Sequence, residues 1–176
     1  MTNRYIGIDP GAHGALAVIN EIDDTIAYSV CDLDKEHNTY YEIMQGFNKL
    51  YSPIDNHYAA VEDVCGRPGQ SCQANTTFMK LAGMAEVMAY GIGRDGFIKV
   101  KPQVWKKHFG LITKGLTKTE RKHLSIDLAK KLFPAVADQL TASKDGRAEA
   151  LLIARYMKDV QCQQELCRDS SKTGSD

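Results

Sequence analysis

The hydrophobic pattern of the N-terminal part of the chain predicts three short strands. Residues 4–9, Arg-Tyr-Ile-Gly-Ile-Asp, form a β-rich run that a Pro-Gly turn ends. Residues 14–20 continue as an apolar run directly after this turn, and residues 25–31 form a third run after a polar tetrapeptide. Because only short turns separate the three runs, we expect an antiparallel meander.

Helical spacing begins after the meander. Apolar residues at three-residue steps predict an amphipathic helix over residues 38–51. Residues 58–64 are mostly apolar and typical of a buried strand. A second helix is predicted over residues 71–92, and one stripe of it is apolar and interpreted as core: Phe78, Leu81, Ala82, Ala85, Met88, Ala89 and Ile92.

The last part of the pattern adds one strand and three helices. The strand covers residues 97–100, between Asp-Gly and a proline, and the helices cover about 103–109, 117–133 and 145–160. A meander followed by helix-strand crossovers predicts an α/β fold with a mixed five-stranded sheet. In it, a three-stranded antiparallel meander joins two parallel strands, with α-helices on the faces.

Length and composition fit one domain that buries a core. The chain has 176 residues, and its 43% hydrophobic and 25% charged residues are ordinary for a globular protein. We assign residues 1–160 to a single domain and expect the polar tail, residues 161–176, to be largely disordered. No apolar run is long enough to cross a membrane and no secretory signal is evident, so we expect a cytoplasmic protein.

Positive charge is concentrated in one part of the chain. Residues 99–131 contain ten Lys or Arg against Glu120 and Asp127, although the formal charge of the whole chain is zero. A basic segment beside an acidic remainder suits a protein that binds phosphates with one surface and gathers cations with carboxylates elsewhere. A solvated, lysine-rich helix face produces the same pattern, so charge alone leaves both interpretations open.

Four acidic residues stand where separate segments can bring them together. Asp9 ends the first predicted strand and Glu62 lies near the end of the fourth, while Asp145 and Glu149 are four residues apart in a predicted helix and can share a face. Clustered carboxylates raise each other's pKa, and hard divalent cations with oxygen ligands relieve that repulsion. Each acid taken singly also fits a turn, a helix cap or an ion pair.

Taken together, four segments resemble the RuvC-like Holliday junction resolvases, and among them the shorter forms typical of bacteriophages. The segments are Ile6-Gly7-Ile8-Asp9-Pro10-Gly11, Ala60-Val61-Glu62 with Arg67-Pro68-Gly69-Gln70, Pro102-Gln103-Val104-Trp105-Lys106-Lys107, and Asp145 to Ala154. The resemblance covers most of residues 4–155. It implies a ribonuclease H-like fold, a homodimer with two active sites, and paired cuts across a four-way DNA junction.

The resemblance also implies roles for the acids. Asp9, Glu62 and Glu149 match the family's acidic positions, which are catalytic and bind two Mg²⁺ ions, with Mn²⁺ as a possible substitute. In the commonest spacing a fourth acid or histidine stands three residues before the last carboxylate, where this chain has Gly146. We assign that role to Asp145, one residue earlier, because it shares a helical face with Glu149.

Basic residues near these segments are candidate contacts to DNA phosphates. They are Arg67, Lys106, Lys107, Lys118 and Lys122. The loop after Glu62 has no aromatic residue, unlike the better-studied bacterial resolvases, so the sequence gives no ground for a strict cut-site preference. We interpret Trp105, which stands between Val104 and Phe109, as core rather than as a base-stacking residue.

Three alternatives stay open. A resolvase-like domain that binds branched DNA without cutting it is expected if Gly146 marks a lost fourth acid. An actin-like or sugar-kinase domain can also begin with a segment such as Asp9-Pro10-Gly11, but such proteins normally need two lobes. In addition, Leu116 stands where the lysine of a P-loop would follow the glycine-flanked segment 110–115. A nuclease that cuts a wider range of branched DNA is a third variant.

Overall fold

Five strands and five α-helices make up the described part of the chain. The structure is a computed structural model, and it describes residues 2–11, 13–22, 25–33, 37–49, 55–66 and 68–172. The strands are β1 (Thr2–Asp9), β2 (Ala15–Ile22), β3 (Thr25–Asp32), β4 (Asn56–Glu62) and β5 (Gly96–Val100). The helices are α1 (His37–Lys49), α2 (Cys72–Ile92), α3 (Pro102–His108), α4 (Lys118–Leu132) and α5 (Asp145–Lys172).

The strands form one mixed sheet in the order β3-β2-β1-β4-β5. β1, β2 and β3 pair antiparallel, whereas β4 is parallel to β1 and β5 is parallel to β4. The predicted α/β fold with a mixed five-stranded sheet is therefore confirmed. Ile8 lies opposite Val61 in the parallel pair, so the residues that follow, Asp9 and Glu62, leave the sheet at the same edge.

Both faces of the sheet are covered by apolar side chains, as the alternation along β1 requires. Tyr5 belongs to a core cluster that includes Trp105 and the buried residues of α5. Ile6 and Ile8 belong to a second cluster that includes the buried face of α2. The sheet thus separates α1 and α2 from α3, α4 and α5.

Helix α5 lies directly against β1. A Cβ on Gly7 would overlap the backbone of Ala150 and Ala154, so only glycine permits this approach. The buried residues of α5 include Ala148, Ala150, Leu151, Leu152, Ile153 and Ala154. The contact places the first turns of α5 above the end of β1.

Most predicted boundaries lie within two residues of the observed ones, but the end of α5 was wrong. The helix continues to Lys172, whereas the sequence analysis ended it near residue 160 and expected disorder beyond. Gln161 is still buried, and its side-chain amide donates a hydrogen bond to the Glu165 carboxylate. Gln and Glu both have high helix propensity, so the helix continues although this segment is polar. The predicted end of α1 at residues 50 and 51, and the last four residues, lie outside the described part of the chain.

Two short 3₁₀ helices, at Pro134–Gln139 and Ala142–Lys144, were not predicted; they join α4 to α5. Within the described ranges, no helix combines the length and apolar composition needed to cross a membrane.

Candidate metal centre

Three of the four predicted acids come together at the edge of the sheet. Asp9 ends β1, Glu62 ends β4, and Glu149 lies in the second turn of α5. One carboxylate oxygen from each lies within 4.8 Å of the other two. Ligand oxygens of an octahedral Mg²⁺ are about 3.0 Å apart when adjacent and about 4.2 Å apart when opposite, so these side chains would share a divalent cation after moving inward. The acid cluster can therefore hold a metal ion.

The electrostatics of Asp9 show how much negative charge collects here. Burial raises the pKa of Asp9 well above its ordinary value, and the carboxylates of Glu149, Glu62 and Asp145 raise it further, while Lys106 opposes them. A carboxylate in this setting gains from any cation that enters, because the cation relieves both the repulsion and the loss of hydration. The cluster therefore favours binding of a positive ion.

Asp145 lies beside the cluster but is not one of its three members. Its Oδ2 forms an ion pair of 2.6 Å with Lys122 Nζ, and this pair joins the start of α5 to α4. Asp145 still faces the same cleft as the cluster and contributes to its charge. The structure thus places the predicted fourth acid at the rim of the site.

The surroundings of Gly146 leave no space for a side chain at this position. A Cβ on Gly146 would overlap the carbonyl oxygen of His13 and would lie 3.0 Å from Asp9 Oδ2. Any larger residue at this position would have to push apart the turn after β1 and the first turn of α5. The backbone of this chain therefore has no room for an acid at position 146.

Helix α3 supplies two contacts to the acid cluster from adjacent residues. Lys106 Nζ lies 3.0 Å from Glu149 Oε1. The indole Nε1 of Trp105 donates a 3.0 Å hydrogen bond to Glu62 Oε1. Trp105 is fully buried, in line with its interpretation as core, but the sequence analysis missed its bond to Glu62. Nothing in the sequence signals such a bond, because it joins residues 43 positions apart.

The acid cluster opens into a cleft of about 1450 Å³. One wall is the loop after β4 together with the first turns of α2, where Phe78 lines the cleft instead of lying in the core as predicted. The opposite wall is basic, and it carries Lys101, Lys106, Lys118, Arg121 and Lys122. The cleft thus combines a cluster of carboxylates with a positively charged wall.

The N-terminus of α4 is fixed so that its basic residues face the cleft. Thr117 Oγ1 accepts from the backbone N–H of Glu120, and the Glu120 carboxylate accepts from the backbone N–H of Thr117. These two bonds form a capping box, which defines where a helix begins. Arg121, one residue further on, was not singled out by the sequence analysis although it lines the cleft.

The predicted phosphate contacts divide into three groups. Lys106, Lys118 and Lys122 line the cleft. Lys107 is exposed and is not among the residues that line the cleft. Arg67 lies outside the described residues. The structure therefore brings three of the five predicted basic residues to the cleft that contains the acid cluster.

Comparison with known proteins adds no relative: no protein-family model matches the chain, and no curated protein matches it.

Proposed function

We propose that this protein is a metal-dependent endonuclease that cuts branched DNA, above all four-way junctions, and that its fold is ribonuclease H-like. The observation that carries the proposal is the convergence of Asp9, Glu62 and Glu149 in a cleft with a basic wall. The carboxylates suit divalent cations, and the basic wall suits a phosphate backbone. The resemblance of the four sequence segments to RuvC-like resolvases narrows the substrate to junctions.

The acid cluster fits the metal that this chemistry needs. Asp9, Glu62 and Glu149 offer oxygen ligands from three separate elements, and Asp145 stands beside them for a second ion. Two Mg²⁺ ions, or Mn²⁺ in their place, supply activation of a water and stabilisation of the leaving 3′-oxygen in the hydrolysis of a phosphodiester. Burial and then the neighbouring carboxylates raise the pKa of Asp9, and such ions would offset both effects.

The basic wall positions the DNA. Lys118, Arg121 and Lys122 lie along one side of the cleft and would contact phosphates on either side of the cut. Lys106, which pairs with Glu149, would lie beside a phosphate bound at the acid cluster and would stabilise its developing charge. A junction has two-fold symmetry, so a homodimer would present one such site to each of two strands.

A domain that binds branched DNA without cutting it is the second candidate. It is favoured by the pairing of Asp145 with Lys122 and by the lack of room for an acid at position 146. In that case junction binding would persist while metal-dependent hydrolysis is absent.

Cleavage of defined DNA substrates tests the proposal. The wild-type protein and an Asp9→Asn variant are incubated with a labelled four-way junction and a matched linear duplex, in Mg²⁺, in Mn²⁺ and with chelator. We expect paired nicks near the crossover of the junction, dependent on metal and absent for Asp9→Asn. Binding without nicks in either metal would favour the second candidate, and neither binding nor nicks would refute both.

A further inference from the structure

We propose that Trp105 is a positioning residue for the metal centre. Its buried indole N–H holds the Glu62 carboxylate in the orientation in which that carboxylate binds a divalent cation. This inference rests on the proposed metal-dependent function and deepens it, because it adds a residue that supports a ligand without touching the metal. Outer partners of this kind orient metal-binding side chains in many proteins.

The hydrogen bond between Trp105 and Glu62 has a fixed direction. The indole nitrogen is a donor only, so at 3.0 Å it can interact favourably only with an oxygen that accepts. It thereby occupies a lone pair of Oε1 and restricts rotation of the Glu62 side chain. The bond thus orients the remaining lone pairs of the carboxylate.

Burial makes this bond specific. Trp105 is fully buried and Glu62 is 8% exposed, so water cannot readily replace the indole as the partner of Oε1. A buried carboxylate oxygen without a donor is costly, and a hydrogen bond to a charged group is stronger than one between neutral groups. Loss of the N–H would therefore remove a bond that holds the Glu62 carboxylate beside Asp9 and Glu149.

The backbone around Trp105 fixes the donor in place. Val100, the last residue of β5, lies opposite Glu62 in the parallel pair, and its carbonyl accepts from the N–H of Asp63. Pro102 then begins α3, so Trp105 reaches Glu62 one turn later from a rigid start. Lys106 Nζ lies 4.8 Å from the centre of the Trp105 ring, and the same amine pairs with Glu149. One short helix therefore holds two of the three acids.

Trp105 is the only tryptophan of the chain, so a tryptophan analogue can replace its indole N–H alone. Growth with the benzothiophene analogue of tryptophan replaces the indole N–H by sulfur at position 105 and nowhere else. The analogue keeps the shape of the ring and its packing but cannot donate the hydrogen bond. Trp105→Phe is the second variant, available if the analogue is poorly incorporated.

Tyr5→Phe is the matched control. Tyr5 is also a buried aromatic residue, and its hydroxyl donates a hydrogen bond to the carboxylate of Glu21. Glu21 is not part of the acid cluster. Its removal is therefore expected to change stability without changing the affinity for metal. Glu62→Ala, which removes the acceptor of the indole N–H, supplies the second arm of a double-mutant cycle.

The experiment measures Mn²⁺ binding by calorimetry in the absence of DNA, and then cleavage of a four-way junction as a function of Mn²⁺ concentration. We expect the analogue to raise the dissociation constant for Mn²⁺ by about 10- to 100-fold, as the loss of an outer partner does elsewhere. At saturating Mn²⁺ the cleavage rate should largely recover, because the altered step is binding. In the Glu62→Ala background, where the indole N–H has no carboxylate to hold, the analogue should have no further effect on affinity.

Any of four results would overturn the proposal. Three of them are an unchanged dissociation constant for the analogue, an equal loss for Tyr5→Phe, and an effect of the analogue that persists in the Glu62→Ala background. Absence of Mn²⁺ binding by the wild-type protein would also overturn it. If the wild-type protein binds Mn²⁺ but cuts no junction, the nuclease function fails, and the affinity measurement still decides the role of Trp105.

Discussion

The ammonium group of Lys106 lies 3.0 Å from the carboxylate of Glu149, so helix α3 delivers a positive charge directly to the acid cluster. Burial and three neighbouring carboxylates raise the pKa of Asp9, and the positive charge of Lys106 opposes them. A lysine held at this place can stabilise a reacting phosphate without long reorganisation. Its neighbour Lys107 is exposed and outside the cleft lining, and this provides a matched comparison.

We therefore expect Lys106→Gln to slow junction cleavage by about 100-fold, the size of effect seen when a group that stabilises the reacting centre is removed. Lys107→Gln should change the rate by much less, because its charge acts only through solvent. Single-turnover cleavage at saturating Mg²⁺ measures both. Equal losses for the two variants would show that Lys106 acts only as part of the general positive charge.

Asp145 is expected to bind a second ion and not the first. The three-acid cluster forms without it, and its carboxylate pairs with Lys122 at the rim of the cleft. We expect Mn²⁺ calorimetry to show two sites in the wild-type protein and one in Asp145→Asn, with cleavage lost in the variant. Asp127→Asn, an exposed acid on the middle of α4, is the control. Two intact sites in Asp145→Asn would remove Asp145 from the metal centre.

The sheet could be predicted from the sequence because each strand is bounded by a signal of its own. β1 ends before Pro10, and β5 begins at the glycine of Asp95-Gly96 and ends before Pro102. The apolar runs between these signals leave little choice of register once one face must be buried. Strand ends then locate Asp9 and Glu62 at one edge of the sheet.

The remaining parts of the site depend on contacts that sequence patterns do not encode. The bond from Trp105 to Glu62 follows from how α3 packs across the end of β4, and its partners are far apart in sequence. Phe78 continues the apolar stripe of α2 but falls beyond the end of the sheet, so it lines the cleft and not the core. The helix after residue 160 was missed because its polar residues lack an apolar stripe.

A salt bridge at the far side of α5 is expected to support the site through the position of that helix. Arg147 donates to both oxygens of Asp32, at 2.6 and 2.8 Å, and Lys144 also pairs with Asp32. These bonds tie the end of β3 to the first turn of α5, which carries Asp145. The hydrogen bond from Arg147 is the main cause that lowers the pKa of Asp32 to about 2, with Lys144 adding to it against the effect of burial.

The lowered pKa fixes the sign of the pH dependence. A carboxyl group with a lower pKa in the folded state stabilises the fold above its ordinary pKa of about 3.9, and that stability is lost as the pH falls towards 2. Because the pair is partly exposed, we expect Asp32→Asn to lower the melting temperature by only about 2–4 °C at neutral pH. The difference from the wild type should shrink below pH 4 in thermal denaturation followed by circular dichroism. A constant difference down to pH 2 would argue against this pair.

His57 is expected to make the stability of the fold sensitive to mild acid. Its side chain is buried at the amino end of β4, and its Nε2 lies 2.7 Å from Arg4 Nη1, an arrangement that requires the neutral ring as acceptor. Burial lowers the pKa of His57, and Arg4 lowers it further, while Asp95 and Asp55 oppose them. The contribution of His57 is therefore complete above its ordinary pKa of about 6.5 and is lost as the pH falls below it.

Thermal unfolding of the wild-type protein should accordingly show a melting temperature that begins to fall as the pH drops below about 6.5, ahead of the loss due to carboxylates. In His57→Gln this part of the pH dependence should disappear, because glutamine can accept from Arg4 at every pH. His123→Gln, which alters an exposed histidine of α4, should behave as the wild type. Since His57 lies at the opposite end of β4 from Glu62, the metal affinity of His57→Gln should remain unchanged at neutral pH. A pH dependence that survives in His57→Gln would place the acid sensitivity in another group.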